Sequence, residues 1–169
     1  MNWEEYMLKF DEVLDGKNTS EPYDKEVYLE YVKLNKSRAN RWLRKPALLD
    51  ETKEVLANIS APQKWILITE PWCGDAAHNA PMIHLMAEAS DNIELEVQLR
   101  DSGSIIDDYL TNGGKAIPKM VARDAEGNDL FTWGARPQAC QEMVIGMKTM
   151  NLSPQKKNMN IQTWYNKDK

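Results

Sequence analysis

A chain of 169 residues, 42% hydrophobic and 28% charged, has the apolar material for one folded domain with an appendage, and it shows none of the bias of a low-complexity chain. A net charge of -5 argues against a nucleic-acid-binding protein, and no apolar run approaches the roughly 20 residues that span a bilayer. The start, Met1-Asn2-Trp3-Glu4-Glu5, has neither the basic nor the apolar region of a signal peptide, and only two cysteines occur, Cys73 and Cys140; both features predict a protein of a reducing compartment, the cytoplasm.

The first element is expected to be a helix, because Trp3, Tyr6, Met7, Phe10, Val13 and Leu14 recur at three- and four-residue steps before Gly16 and Asn18-Thr19-Ser20 stop it. A second helix follows Pro22, with Val27, Tyr28, Tyr31 and Val32 on one face, and runs towards Trp42. A third is expected from near Pro46, a good first-turn residue, through Leu48, Leu49, Thr52, Val55, Leu56 and Ile59. Ser60-Ala61-Pro62 closes this helical region, so residues 1–63 read as an N-terminal helical extension.

The period then changes. Trp65-Ile66-Leu67-Ile68-Thr69 is a short apolar, β-branched run, which predicts a buried strand. Cys73 to Ala89 reads as a helix. Ile93, Leu95, Val97 and Leu99 alternate with Glu94, Glu96 and Gln98, as in a half-buried strand. A short helix from Ser104 to Leu110 is stopped by Asn112-Gly113-Gly114, and Lys119–Arg123 and Asp129–Trp133 flank the hairpin turn Asp124-Ala125-Glu126-Gly127. Pro137 to Met150 is the last helix of a domain spanning 64–150. A polar tail, 151–169, ends in Ile161, Trp164 and Tyr165 and is expected to form a short helix.

Four landmarks within this order give it an identity. Glu70-Pro71-Trp72-Cys73-Gly74-Asp75-Ala76 resembles the Trp-Cys-Gly-Pro-Cys run of thioredoxins and sits between the first strand and its helix. Pro81, eight residues on, matches the proline within the family's active-site helix. Ile117-Pro118 resembles the cis-proline loop, and Trp133-Gly134 falls where thioredoxins place the glycine bordering the substrate groove. The resemblance implies an α/β thioredoxin-like fold: a βαβ unit and a ββα unit forming a central mixed sheet flanked by helices, with a right-handed crossover. It is nearest to monothiol members of the thioredoxin superfamily with an N-terminal helical extension.

The departures from the family pattern matter equally. Ala76 stands where the second active-site cysteine would be, and Leu67 stands six residues before Cys73, where the family carries a buried acid. The resemblance therefore implies a lone nucleophile, Cys73, with Trp72, Gly74, Asp75 and Ala76 as its motif, and Ile117, Pro118, Trp133 and Gly134 as the substrate groove. In it the Ile117 backbone would pair with an extended peptide, and Trp72 and Trp133 would offer aromatic surface. The position at a helix N-terminus favours the thiolate; Asp75 opposes it, and a protonated His78 would offset Asp75.

A lone thiolate forms a mixed disulfide that a second thiol must release. That thiol is a small one, a partner protein's, or Cys140, whose simpler expected role is a small buried core residue. The expected partners are protein disulfides or mixed disulfides and a low-molecular-weight thiol, with no nucleic acid and no membrane. A binding module that keeps the groove without turnover is the main alternative, and an acyl or peroxide role for Cys73 is a third. No cofactor is implied. His78 and His84 with one cysteine fall short of the three or four ligands of a metal site, and the motif differs from that of the cluster-assembling monothiol glutaredoxins. Lys36, Arg38, Arg41, Arg44 and Lys45 form a basic run without an intervening acid. It reads as a solvated helix face or, alternatively, as a holder of an anionic partner or of thiol carboxylates.

Overall fold

The computed structural model describes residues 1–44 and 48–167, which form two compact units, Met1–Gly134 and Ala135–Lys169. The first helix, α1 (Trp3–Leu14), begins with a reciprocal cap. The Asn2 side chain accepts the Glu5 N–H at 2.8 Å and the Glu5 carboxylate accepts the Asn2 N–H at 2.9 Å. It buries Trp3, Tyr6, Phe10 and Val13, a stripe at helical spacing, and each such side chain contributes about 1.5–3 kcal/mol relative to exposure. Helix α2 (Glu26–Leu43) buries Val32, Asn35 and Ala39, and α3 (Asp50–Ala57) buries Leu56. The expected start of the third helix at Pro46, and Lys45 of the basic run, lie outside the described residues.

Strand β1 (Gln63–Thr69) has five consecutive buried residues, Trp65 to Thr69, because it is covered on both faces and paired along both edges. It runs parallel to β2 (Ile93–Leu99), from Gln63 opposite Ile93 to Thr69 opposite Leu99. It runs antiparallel to β3 (Lys119–Arg123), which pairs antiparallel with β4 (Asp129–Gly134), giving the order β2-β1-β3-β4. The mixed sheet and its flanking helices are thus those of an α/β thioredoxin-like fold. Side chains of α1 and α2 lie in the same hydrophobic cluster as those of β1, so the N-terminal helices share one core with the sheet.

Between β1 and β2 lies α4 (Ala76–Glu88), with Pro81 inside it. The sequence predicts this helix from Cys73; residues 71–75 instead form turns, and the helical hydrogen bonding starts where the Cys73 carbonyl accepts the Ala77 N–H at 3.1 Å. Cys73 therefore stands in the turn ahead of the helix, three residues before its first helical residue, and Asp75 takes the capping position. The helix expected at Ser104–Leu110 is a four-residue 3₁₀ turn, Ile105–Asp108, capped by the Ser104 hydroxyl.

In the second unit, α5 (Gln138–Gly146) continues into a 3₁₀ turn at Met147–Thr149, and α6 (Pro154–Lys167) follows. Cys140, Met147 and Tyr165 are buried, and the Asn160 side-chain amide donates to the Met147 sulfur at 3.3 Å. Among the described residues no helix is long and apolar enough to cross a membrane.

Candidate functional site

The chain leaves β1 at Glu70 and must reach the head of α4 within five residues. Pro71 and Trp72 turn it, and the Cys73 N–H closes the turn on the Glu70 carbonyl at 3.0 Å. This puts the Cys73 Sγ 3.5 Å from the Ile117 carbonyl oxygen, and the Ile117–Pro118 peptide is cis. Cys73 is 6% exposed, with Ala76 buried one turn behind it. Gly134 closes the same corner from β4. Its φ is +127°, and a Cβ there would collide with the Pro118 carbonyl oxygen and stand 3.1 Å from the Lys119 Cα, so only glycine fits.

The structure thus brings Cys73, Ile117, Pro118 and Gly134 together. Trp72 lies beside them, half-buried, edge-on to Tyr28 at 5.7 Å and face-on to the Arg100 guanidinium at 4.9 Å. Asp75 uses its backbone carbonyl to accept the Asn79 amide at 2.8 Å. Trp133 is opposite Met120 in the β3–β4 register, half-buried at the margin of the core. Cys140 belongs to the Ala135–Lys169 unit, where it is fully buried.

Sequence reasoning looked for a buried acid at Leu67, which is fully buried in the centre of β1. The buried acid of this site is Glu70, 4% exposed, three residues before the sulfur. Its carboxylate accepts the Tyr23 hydroxyl at 3.1 Å and the Asp101 N–H at 3.1 Å. Burial pushes its carboxyl above the ordinary range, while the Asp101 and Tyr23 hydrogen bonds pull the other way. The phenols of Tyr6 and Tyr23 are pushed far above theirs, chiefly by burial, and the negative charge available at Cys73 and Glu70 adds to the shift of Tyr6. Both therefore stay neutral. Arg100 supplies opposing charge: it is held bidentate by Asp101 at 2.8 and 2.7 Å, its charged form is favoured by that bond, and it carries its positive field to both Glu70 and Cys73. The visible signal for Glu70 was a carboxylate placed directly after an apolar strand and before Pro71-Trp72-Cys73.

A second layer comes from α2. Asn35, fully buried, donates to the Pro71 carbonyl at 3.1 Å and accepts from Arg38 Nη1 at 2.9 Å. Arg38 Nη1 lies 3.8 Å from the position a Cβ would take on Gly74. One turn later, Trp42 donates to His78 Nδ1 at 3.1 Å. His84 stacks on Trp3 at 4.6 Å, and burial lowers its pKa. Of the basic run, Lys36 pairs with Asp11 of α1, Arg41 lies over the Trp42 ring, and Arg44 donates to the Asn40 carbonyl. Among the described residues no group of three or more His, Cys, Asp and Glu side chains is placed to hold a metal ion.

A family model described as "Thioredoxin" matches residues 22–153, a span that takes in α2 and α3 as well as the sheet. No curated protein matches the chain. Among solved structures, a protein of unknown function from Pseudomonas aeruginosa shares 20% identity over 80% of this chain and 81% of its own, with a TM-score of 0.58. An HIV epitope-scaffold protein shares 22% identity over 84% of this chain and 82% of its own, with a TM-score of 0.54. At these identities the likeness is one of fold.

Proposed function

Because this chain belongs to the thioredoxin family, we propose that it is a cytoplasmic monothiol exchange protein in which Cys73 removes small-thiol adducts from protein cysteines or exchanges with protein disulfides. The observation that carries this reading is the placement of the Cys73 sulfur in the turn that leads into α4, 3.5 Å from the Ile117 carbonyl beside the cis Pro118, with alanine at position 76. Helix N–H groups and the field of Arg100 favour the thiolate there.

The Cys73 thiolate attacks the small-thiol sulfur of a protein mixed disulfide. The S–S bond breaks, the protein cysteine leaves as thiolate and takes a proton from water, and Cys73 becomes disulfide-bonded to the small thiol. A second molecule of that thiol, as thiolate, attacks this bond, releasing Cys73 and a symmetric small disulfide. The protein cysteine is reduced by two electrons that the two small thiols supply. Ala76 leaves the first step without an internal competitor, so the mixed disulfide waits for the external thiol. The Ile117 backbone and Trp72 border the sulfur and would hold an extended peptide segment.

The test is mixed-disulfide capture. The native protein incubated with a glutathionylated protein should gain the mass of one small thiol at Cys73 and release the free protein cysteine, and Cys73→Ser should do neither. The low exposure of Cys73 favours a second reading, a peptide-binding module without turnover. That reading predicts no transfer and partner binding that survives Cys73→Ser.

A further inference from the structure

Over Gly74, the residue after Cys73, lies a guanidinium, that of Arg38, with which no described carboxylate pairs. Among the described residues, a Cβ added to Gly74 would meet one heavy atom within 4 Å, Arg38 Nη1 at 3.8 Å. The first group that a substituent over the residue next to Cys73 would meet is therefore that guanidinium. Two flanking cations differ in how they are occupied. Arg100, over Trp72, is already paired bidentate with Asp101. Arg38 is half-buried, its Nη1 donates to the neutral Asn35 amide, and among the described residues no carboxylate pairs with it. Arg41, one turn on and exposed, adds a second positive charge, and no described carboxylate pairs with it either. Burial and Arg41 both disfavour the charged form of Arg38, so an anion drawn in here relieves two costs at once.

We propose that the surface over Gly74 receives a carboxylate of the small thiol exchanged at Cys73, bound by Arg38 and assisted by Arg41, so that the site selects anionic low-molecular-weight thiols over neutral or cationic ones. This rests on the monothiol reading given above and specifies its small substrate. Asn35 sets the geometry: it ties Arg38 to the Pro71 carbonyl, two residues from the sulfur. The guanidinium fork matches a carboxylate in a way a lysine ammonium does not.

The charge selectivity of Cys73 tests the proposal. Iodoacetate and iodoacetamide attack the same thiolate and differ by one negative charge, so their rate ratio cancels any change in thiolate fraction. Followed by peptide mass at Cys73, the native protein should show a ratio about tenfold above that of free cysteine, the scale by which a charged cleft concentrates a counter-ion. The ratio should fall most of the way to the free-cysteine value in Arg38→Gln, fall partly in Arg41→Gln, and be kept in part by Arg38→Lys. Arg41 is exposed, so Arg41→Gln reports even where Arg38→Gln perturbs folding. A native ratio equal to that of free cysteine, or one unchanged in both glutamine variants, overturns the proposal.

A second arm separates it from the function on which it rests. Dithiodiglycolate, 2-hydroxyethyl disulfide and cystamine carry negative, neutral and positive ends, and the exchange rate should fall in that order. A charge-selective alkylation with no exchange by any of the three overturns the exchange reading and leaves the anion site standing. Exchange at rates that ignore charge overturns the anion site and leaves the exchange reading standing. A Cys73 that neither alkylating reagent reaches in the folded protein overturns both.

Discussion

Gly134→Ala isolates the corner that holds the cis-proline loop against the sulfur. The new methyl would enter the Pro118 carbonyl oxygen and crowd the Lys119 Cα at 3.1 Å, both backbone atoms that cannot rotate away. Gly134 also has a φ of +127°, which costs a side-chain-bearing residue about 1–3 kcal/mol. Displacing packed backbone adds about 1–3 kcal/mol more, so the expected loss is about 2–6 kcal/mol. That is a large part of the roughly 5–15 kcal/mol that holds a domain together. Gly127→Ala is the matched control: its φ is +87°, but nothing lies within 4 Å of an added Cβ, so it should lose only the conformational cost of about 1–2 kcal/mol. In urea unfolding, Gly134→Ala should lose about twice or more what Gly127→Ala loses, which is about 4–24 °C in Tm against about 2–8 °C. The rate of Cys73 alkylation should change in Gly134→Ala alone, because only that variant moves the Pro118 carbonyl and with it the neighbouring Ile117 oxygen. Equal losses in the two variants would refute the collision argument.

Asn35→Ala removes the donor to the Pro71 carbonyl and the acceptor of Arg38, and should cost about 2 kcal/mol in urea unfolding; a loss below about 0.5 kcal/mol would mean that water replaces both bonds. Glu70 has a folded-state pKa above its ordinary 4.5, so the folded protein holds this proton to higher pH than the unfolded chain does. The stability that comes from the neutral form is present below pH 4.5 and is lost as pH rises through the folded value. Glu70→Gln should flatten that fall in urea titrations across this range, and an unchanged slope would contradict the burial argument. His84 behaves in the opposite sense: its pKa is lowered, so the folded state resists protonation and stability declines as pH falls below the ordinary 6.5. His84→Phe keeps a ring against Trp3 and should abolish that decline, measured by the same titration at pH 5 to 7.5.

Much of the architecture was written in local periodicities. The five-residue apolar run of β1 and the strict alternation of β2 left little freedom in their assignment, and the Trp72–Ala76 run fixed where the strand becomes a helix. Boundaries were harder where turn hydrogen bonds compete with helical ones. Cys73 looks helical in sequence, yet its N–H turns back to Glu70 while its carbonyl opens α4, a division of labour that no pattern of apolar residues encodes. Partnerships between distant segments were not legible either. Asn35 and Arg38 read as the polar side of an amphipathic helix, and only the crossing of α2 over the start of α4 turns them into supports of the Cys73 loop. Glu70 was overlooked for a related reason: the family pattern directed attention to position 67, and the carboxylate's cover comes from Tyr23 and Asp101, 47 and 31 residues away.

The Asn35–Pro71 hydrogen bond has a consequence for transplanting this chemistry. A β1–α4 segment grafted onto another sheet would bring the sulfur, its turn and its helix, and would leave behind the amide that steadies the turn and the guanidinium beside Gly74. Such a graft would carry the thiol without the guanidinium proposed to select its small partner. The unit of inheritance for this site is the helix–strand–helix sandwich that includes α2, so α2 should vary among related chains together with the cysteine motif itself.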